Sequence, residues 1–296
     1  MNMHDYIIAD IRLRSTADIV ELGVRGFKPF EVEYNGSIDA DCTFDLRHSM
    51  RLGDFVVEKH LADFTAIETG AHCELKRTTD GYLYTIARQD ITSEPTLFHI
   101  ERNTFAITSN IECNIPSDVA QLRFALWVMF GVVLSSKQAI AIHSSTIEYG
   151  GRCILFLGES GTGKSTHTRL WRESIEGAKL LNDDSPIIRI IDGKAIVFGS
   201  PWSGKTPCYK NLSYPIAGFC RLSQAPHNAI RRLPTIAAIG ALLPSCPPAF
   251  AHDEELQDMI CNTLGEMLRR VPAYHLECLP NAEAAQLSCK TILGDE

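Results

Sequence analysis

Short runs of β-branched and aromatic residues, broken by polar stretches, dominate the first 115 residues. Tyr6-Ile7-Ile8-Ala9, Phe55-Val56-Val57, Tyr82-Leu83-Tyr84-Thr85-Ile86 and Thr104-Phe105-Ala106-Ile107 each predict a strand. Asn35-Gly36 and Asp80-Gly81 mark turns between them. The texture then changes. Phe124–Leu134 (FALWVMFGVVL) is an unbroken apolar run that continues from Ser117-Asp118, and it predicts a buried helix over about 118–135. Its eleven residues are too few to cross ~30 Å of hydrocarbon as a helix, so no membrane span is expected. Ala139–Thr146 predicts a strand, Tyr149-Gly150-Gly151 a tight turn, and Cys153–Leu157 a buried strand pairing back as a hairpin. Ser165–Ile175 predicts a helix with Leu170, Trp171 and Ile175 on one stripe. A short strand at Ala178–Asn182 and a hairpin of Ile187–Ile191 with Ala195–Phe198 follow. Helices are expected near 234–243 and 255–270, a strand at Tyr274–Cys278, and a helix from about 281. The pattern is that of a mixed α/β protein, with a β-rich region over 1–115 and an α/β region over 116–296.

Between the buried strand and its helix lies Gly158-Glu159-Ser160-Gly161-Thr162-Gly163-Lys164-Ser165, which fits G-x-x-x-x-G-K-[ST] at every fixed position. Such a loop turns backbone N–H groups inward onto phosphate oxygens, and its glycines permit the close approach this needs. The following helix presents its positive dipole end to the same anion. The Lys164 ammonium reaches the β and γ phosphates, and the Ser165 hydroxyl is placed to ligate Mg²⁺. Residues 158–166, through Thr166, are the expected nucleotide-binding set, with ATP or another nucleotide as the ligand.

Asp183 and Asp184 lie 19 and 20 residues beyond Lys164, the length of one helix and a returning strand. They are expected at the C-terminal end of a strand beside the loop strand, where ligands sit in α/β sheets. Mg²⁺ bound to phosphates takes one or two carboxylates, and a second carboxylate can hold an acceptor hydroxyl and take its proton. His143 alternates with Ile140 and Ile142 on the preceding strand and so faces the other side, where it can donate to a phosphate or tune the carboxylates. Lys205, in the loop Ser200–Thr206, offers a mobile positive charge for the transferred group. His167 and Arg169, at the start of the post-loop helix, either touch nucleotide or face solvent.

Composition narrows the class. A net charge of −8 and a pI near 5.7 argue against nucleic acid as the partner. The ten cysteines are scattered with no C-x-x-C pair, so a zinc site is not expected and reduced thiols of a cytoplasmic protein are. No secretory signal is evident in Met1–Asp10. An oligomer is compatible with these numbers.

The run from about 139 to 206 resembles the kinase domain of bacterial HPr kinase/phosphorylase and related serine-kinase-like proteins, and is similar to the nucleotide half of phosphoenolpyruvate carboxykinase. The likeness rests on His143, 21 residues before Lys164, on GESGTGKS, and on the acids closing Leu180-Leu181-Asn182-Asp183-Asp184. It implies a carboxykinase-like P-loop domain in which Ser165 binds Mg²⁺, Asp184 accepts the acceptor's proton and His143 is functional; the residues themselves add Asp183, holding the metal with Ser165 directly or through water, and Lys205 near the transferred group. Pro201-Trp202 followed by Gly204-Lys205 is similar to a looser set of HPr-kinase-like proteins, some acting on peptides. Two positions depart: Gly199-Ser200-Pro201-Trp202 holds no acid where HPr kinases carry one, and Thr166 replaces their usual glutamate. The implied activity is transfer of a terminal phosphoryl group to a hydroxyl on a protein, a peptide or a small molecule. The alternatives are a regulatory nucleotide-binding module without transfer, and a carboxykinase-like enzyme acting on a small carboxylate.

Overall fold

The computed structural model describes residues 3–66, 70–87, 94–204 and 206–294. The chain divides into two compact units, Met1–Val133 with Ala249–Gln257, and Leu134–Pro248 with Asp258–Glu296. The sequence places a boundary at 115/116; the division between units falls later, inside the long helix that follows.

The first unit is built on a nine-stranded sheet of β1 (His4–Ile8), β2 (Ile11–Ser15), β3 (Glu31–Val32), β4 (Cys42–Leu46), β5 (Val57–Thr65), β6 (His72–Thr78), β7 (Gly81–Ala87), β8 (Thr96–Glu101) and β9 (Ala106–Ser109), in the order β3-β1-β2-β4-β9-β8-β7-β6-β5. Phe55 and Val56 precede β5, and Thr104 and Phe105 precede β9, so two of the expected runs are shifted rather than absent. Phe105 takes φ +53°, a turn conformation that ends pairing there. Strand β2 gives no strong hydrophobic signal because alternate positions are Arg12 and Arg14. Their guanidinium groups donate to the fully buried Asp5 carboxylate at 2.7 and 2.8 Å.

Helix α1 (Pro116–Ser136) follows. It extends well beyond the eleven-residue apolar run. Among the described residues it is the one helix long and apolar enough to cross a membrane, and 67% of its apolar window is buried.

The second unit contains β10 (Ala139–Ala141), β11 (Ser144–Tyr149), β12 (Arg152–Leu157), α2 (Lys164–Ser174), β13 (Lys179–Asp184), β14 (Ile187–Ile191), β15 (Lys194–Phe198), β16 (Ser213–Gln224), β17 (Ala229–Arg232), α3 (Thr235–Leu242), β18 (Ala273–Cys278) and α5 (Ala282–Leu293). Helix α4 (Glu254–Leu268) begins in the inserted segment of the first unit. The sheet runs β10-β14-β15-β16-β12-β11-β13, with β18 joining at β16 and β17 at β18. Two expectations are corrected. Residues 139–146 do not form one strand: the chain breaks at Ile142-His143, so β10 pairs with β14 while β11 pairs with β12 and β13. And β13 is not beside the loop strand; β11 lies between them, antiparallel to both. Two antiparallel steps leave β12 and β13 pointing the same way, so their C-terminal ends still share one edge of the sheet. On the other side of β12, β16 runs parallel to it and reaches the same edge.

Helix α2 is fastened over this sheet by Trp171, which is fully buried against Ile147, Ile154, Phe156 and Leu180. Its indole N–H donates to Ser288 Oγ of α5 at 2.9 Å and to His167 Nε2 at 3.2 Å. Accepting from the indole requires a neutral imidazole, and burial pushes the His167 pKa down to about 4. Arg169 faces solvent and pairs with Glu173 at 3.1 Å.

Unfolding returns His167 to an ordinary pKa near ~6.5. Protons therefore bind the unfolded chain preferentially between about 6.5 and about 4, and the contribution to stability is lost as pH falls through that window. The full effect is on the order of 3 kcal/mol. Urea unfolding midpoints measured from pH 7 to pH 4 are expected to fall more steeply for the wild type than for His167→Gln; parallel slopes would refute the buried neutral ring.

Candidate phosphate-binding site

The loop 158–163 joins the C-terminal end of β12 to the N-terminus of α2. Gly163, the residue before the helix, takes φ +106° with open space where a Cβ would stand, so only its backbone angle demands glycine. Gly158, at φ +151°, meets a second constraint: a Cβ there would sit 3.1 Å from the Thr162 side chain. Thr162 Oγ1 closes the turn by donating to Glu159 O at 2.7 Å.

Lys164 is buried within this loop, its ammonium donating to Gly158 O at 2.8 Å and Glu159 O at 3.1 Å. Burial lowers its proton affinity, and the nearby carboxylates of Asp184 and Asp183 oppose that loss without cancelling it. The charge is thus held in the loop mouth rather than spent in solvent.

The acids are delivered by register. On β13, Asp183 pairs opposite Ser145 and Asp184 opposite Ser144, at the start of β11. His143 immediately precedes Ser144, and its Nδ1 lies 3.3 Å from Asp184 Oδ1. The break that ends β10 positions it: Ile142 N donates to Pro186 O at 3.0 Å and His143 N to Ser245 O at 2.7 Å. Asp183 turns the other way, toward the loop, where Ser165 Oγ donates to its Oδ1 at 3.0 Å.

That hydroxyl–carboxylate pair suits Mg²⁺. Both donors are hard oxygens, and neighbouring ligands of an octahedron with ~2.1 Å bonds stand about 3 Å apart. Ser165 and Asp183 already have this separation.

Behind the acids, the fully buried Asn182 fixes the strand end. Its amide donates to Trp202 O at 3.0 Å and its carbonyl accepts from Ser185 N at 2.9 Å. Gly204 N donates to Asp183 O at 2.8 Å, and Asp184 bridges to Ser203. The segment 200–204 thereby braces the end of β13 and brings Gly204 to the site.

These parts surround one cavity of about 420 Å³, lined by His143, Lys164, Ser165, Asp183, Asp184 and Thr206 together with Ser144, Ser160, Gly161, Gly163, Thr166 and Gly204. Gly158, Glu159 and Thr162 shape the loop from outside that lining. The Glu159 side chain is exposed, 3.6 Å from Arg221. Lys205, expected to contribute a charge, lies outside the described residues; its neighbours Gly204 and Thr206 line the cavity.

Sequence reasoning missed Asn182 and Arg221. Arg221 carries a signal, a lone charge within the apolar run Gly218-Phe219-Cys220-Arg221-Leu222; Asn182 is masked by the two acids that follow it. No protein-family model matches the chain, and no curated protein matches its sequence.

Gly163→Ala tests the loop. A Cβ at positive φ costs on the order of 1–2 kcal/mol, which the sheet can absorb. The expected result is a fall of a few degrees in Tm with Mg-ATP affinity reduced at least ~10-fold, read by calorimetric titration. Undiminished affinity would show that this backbone angle is not needed for phosphate.

Proposed function

We propose that the protein is a phosphotransferase that moves the terminal phosphoryl group of a Mg-nucleotide, ATP foremost, to a hydroxyl on a protein, peptide or small molecule. In this reading its second unit is a carboxykinase-like P-loop domain of the HPr-kinase-like kind. The observation that carries it is the His143–Asp184 contact, in the same cavity as the loop lysine and the Ser165–Asp183 pair. Phosphate binding alone calls for the loop and a metal-holding pair. It leaves a second, half-exposed carboxylate with a histidine partner unexplained.

Each residue then has a task. The loop N–H groups and Lys164 hold the β and γ phosphates, and Lys164 neutralises charge as it shifts toward the leaving oxygen. Ser165 and Asp183 would hold Mg²⁺, which supplies charge neutralisation on the phosphate oxygens. Asp184 accepts a hydrogen bond from the acceptor hydroxyl and aligns it with the γ phosphorus. As the new P–O bond forms, the bond from the γ phosphorus to the β–γ bridging oxygen breaks. The hydroxyl proton passes to the Asp184 carboxylate, and the nucleoside diphosphate leaves with the electron pair of the broken bond. His143 orients Asp184.

The test is transfer from γ-labelled ATP into a lysate of the source cell by purified protein. Label on a discrete species is expected with the wild type. Asp184→Asn is expected to cut it by ~10²–10⁴, with ATP affinity kept within about twofold, since the loop and the metal pair are intact. Equal labelling by both proteins would remove Asp184 from the proton-accepting role. ATP binding without label on any species would favour a nucleotide-occupied regulatory module.

A further inference from the structure

The first unit holds a cluster of donor atoms that the phosphate site does not use. His4 opens β1, and Glu31 opens β3 and pairs opposite Tyr6 of β1. Side chains two apart on a strand share a face, as do those directly opposite on the neighbouring strand. His4, Tyr6 and Glu31 therefore lie on one side of this end of the sheet. The turn after β2 brings Asp18 to the same side, where the Tyr6 hydroxyl donates to its Oδ1 at 3.3 Å. One donor atom from each of His4, Asp18 and Glu31 falls within 4.8 Å of the other two.

Asp18 is aimed. Its Oδ1 also accepts from Val20 N at 2.9 Å and from Glu21 N at 3.1 Å, which fixes the carboxylate plane. Among the described residues its Oδ2 accepts no hydrogen bond. What faces it is His4 Nδ1 at 3.7 Å, beyond hydrogen-bond reach. The two carboxylates are thus gathered with little to neutralise them: Lys28 donates to Glu31 Oε2 from a side chain that is 70% exposed. Asp5, next to His4 on the opposite face of β1, shows the contrast, with two guanidinium groups on a single carboxylate.

We propose that His4, Asp18 and Glu31 bind a divalent transition-metal ion, Zn²⁺ foremost, with water completing its shell. One imidazole nitrogen and two carboxylate oxygens suit first-row divalent ions, whereas Mg²⁺ and Ca²⁺ are held by oxygen alone. Donors on a metal with ~2.1 Å bonds stand about 3–4 Å apart, so small side-chain rotations close the set. The three side chains are 22%, 17% and 27% exposed, sheltered on the protein side and open to water on the other. The metal acts as a clip. Strand β3 is two residues long and meets β1 at two paired positions; the ion ties it and the Asp18 turn to β1 through side chains. The clip is independent of the phosphate site in the second unit.

The test is calorimetric titration of chelator-stripped, full-length protein with Zn²⁺, using the wild type, His4→Ala, Asp18→Asn and Glu31→Gln. The last two keep the side-chain shape, and Asp18→Asn keeps an oxygen for the Val20 and Glu21 N–H groups. The wild type is expected to take up about one equivalent at ~1 μM affinity or tighter, and to gain a few degrees in Tm at saturating metal. Each substitution should weaken binding at least ~10-fold and remove most of that gain. Asp183→Asn should leave the affinity within about twofold. A second readout needs no variant: wild-type protein loaded with Co²⁺ should show the visible bands of nitrogen and oxygen ligation without a thiolate charge-transfer band. No uptake by the wild type overturns the site. So does an affinity that none of the three substitutions moves, and so does a thiolate band, which places the ion on cysteines. Loss of binding in Asp183→Asn alone moves the ion to the phosphate cavity and overturns the clip as well.

Discussion

One strand, β11, hydrogen-bonds to β12 along one side and to β13 along the other, antiparallel to both. The site depends on that double pairing. It sets β12 and β13 parallel at a separation of two strands and brings their C-terminal ends to one edge. The loop leaving β12 and the acids ending β13 therefore open toward each other with room for a ligand between them. Direct pairing of β12 with β13 would crowd the loop against the carboxylates. The intervening strand also supplies what faces the acids, because its first residues are the partners of Asp183 and Asp184 and its approach carries His143.

Helix α2 completes the arrangement. It begins where the loop ends, so any tilt of the helix moves the loop's N–H groups. Its position is fixed from below by Trp171 in the apolar core, from the side by a Ser145 Oγ–Thr168 Oγ1 bond of 2.9 Å to β11, and from α5 by the Trp171–His167–Ser288 cluster. The polar members of that cluster are buried and mutually bonded, which fixes direction more sharply than apolar contact does. A loop of backbone N–H groups can be only as well aimed as the helix that anchors it.

The parts of this site that were legible in the sequence are those encoded locally. The loop's glycines, its lysine and its serine carry their geometry in their spacing, and the strand before and helix after show ordinary periodicity. Asp183 and Asp184 were legible as candidates because their distance from Lys164 matches one helix and one strand. The strand order was not. Nothing in residues 139–157 announces that β11 inserts between β12 and β13, since pairing partners are chosen by tertiary packing. The break at Ile142-His143 was hidden for a related reason. The apolar run continues through Ile142, and the hydrogen bonds that end the strand come from Pro186 and Ser245, distant in sequence. Long β16 was missed because Pro215, Gly218 and Arg221 interrupt its apolar run, though the fold tolerates each. In the first unit, β2 was obscured because its charged positions answer a buried aspartate rather than solvent.

The attachment of residue 143 has a mechanical corollary. Both hydrogen bonds that stop the chain there are made by main-chain N–H groups, at Ile142 and His143, while the imidazole itself is nearly half exposed. The pivot is clamped by the main chain, and the arm is held at its tip by the carboxylate it faces, so the backbone sets where the ring begins and Asp184 sets where it ends.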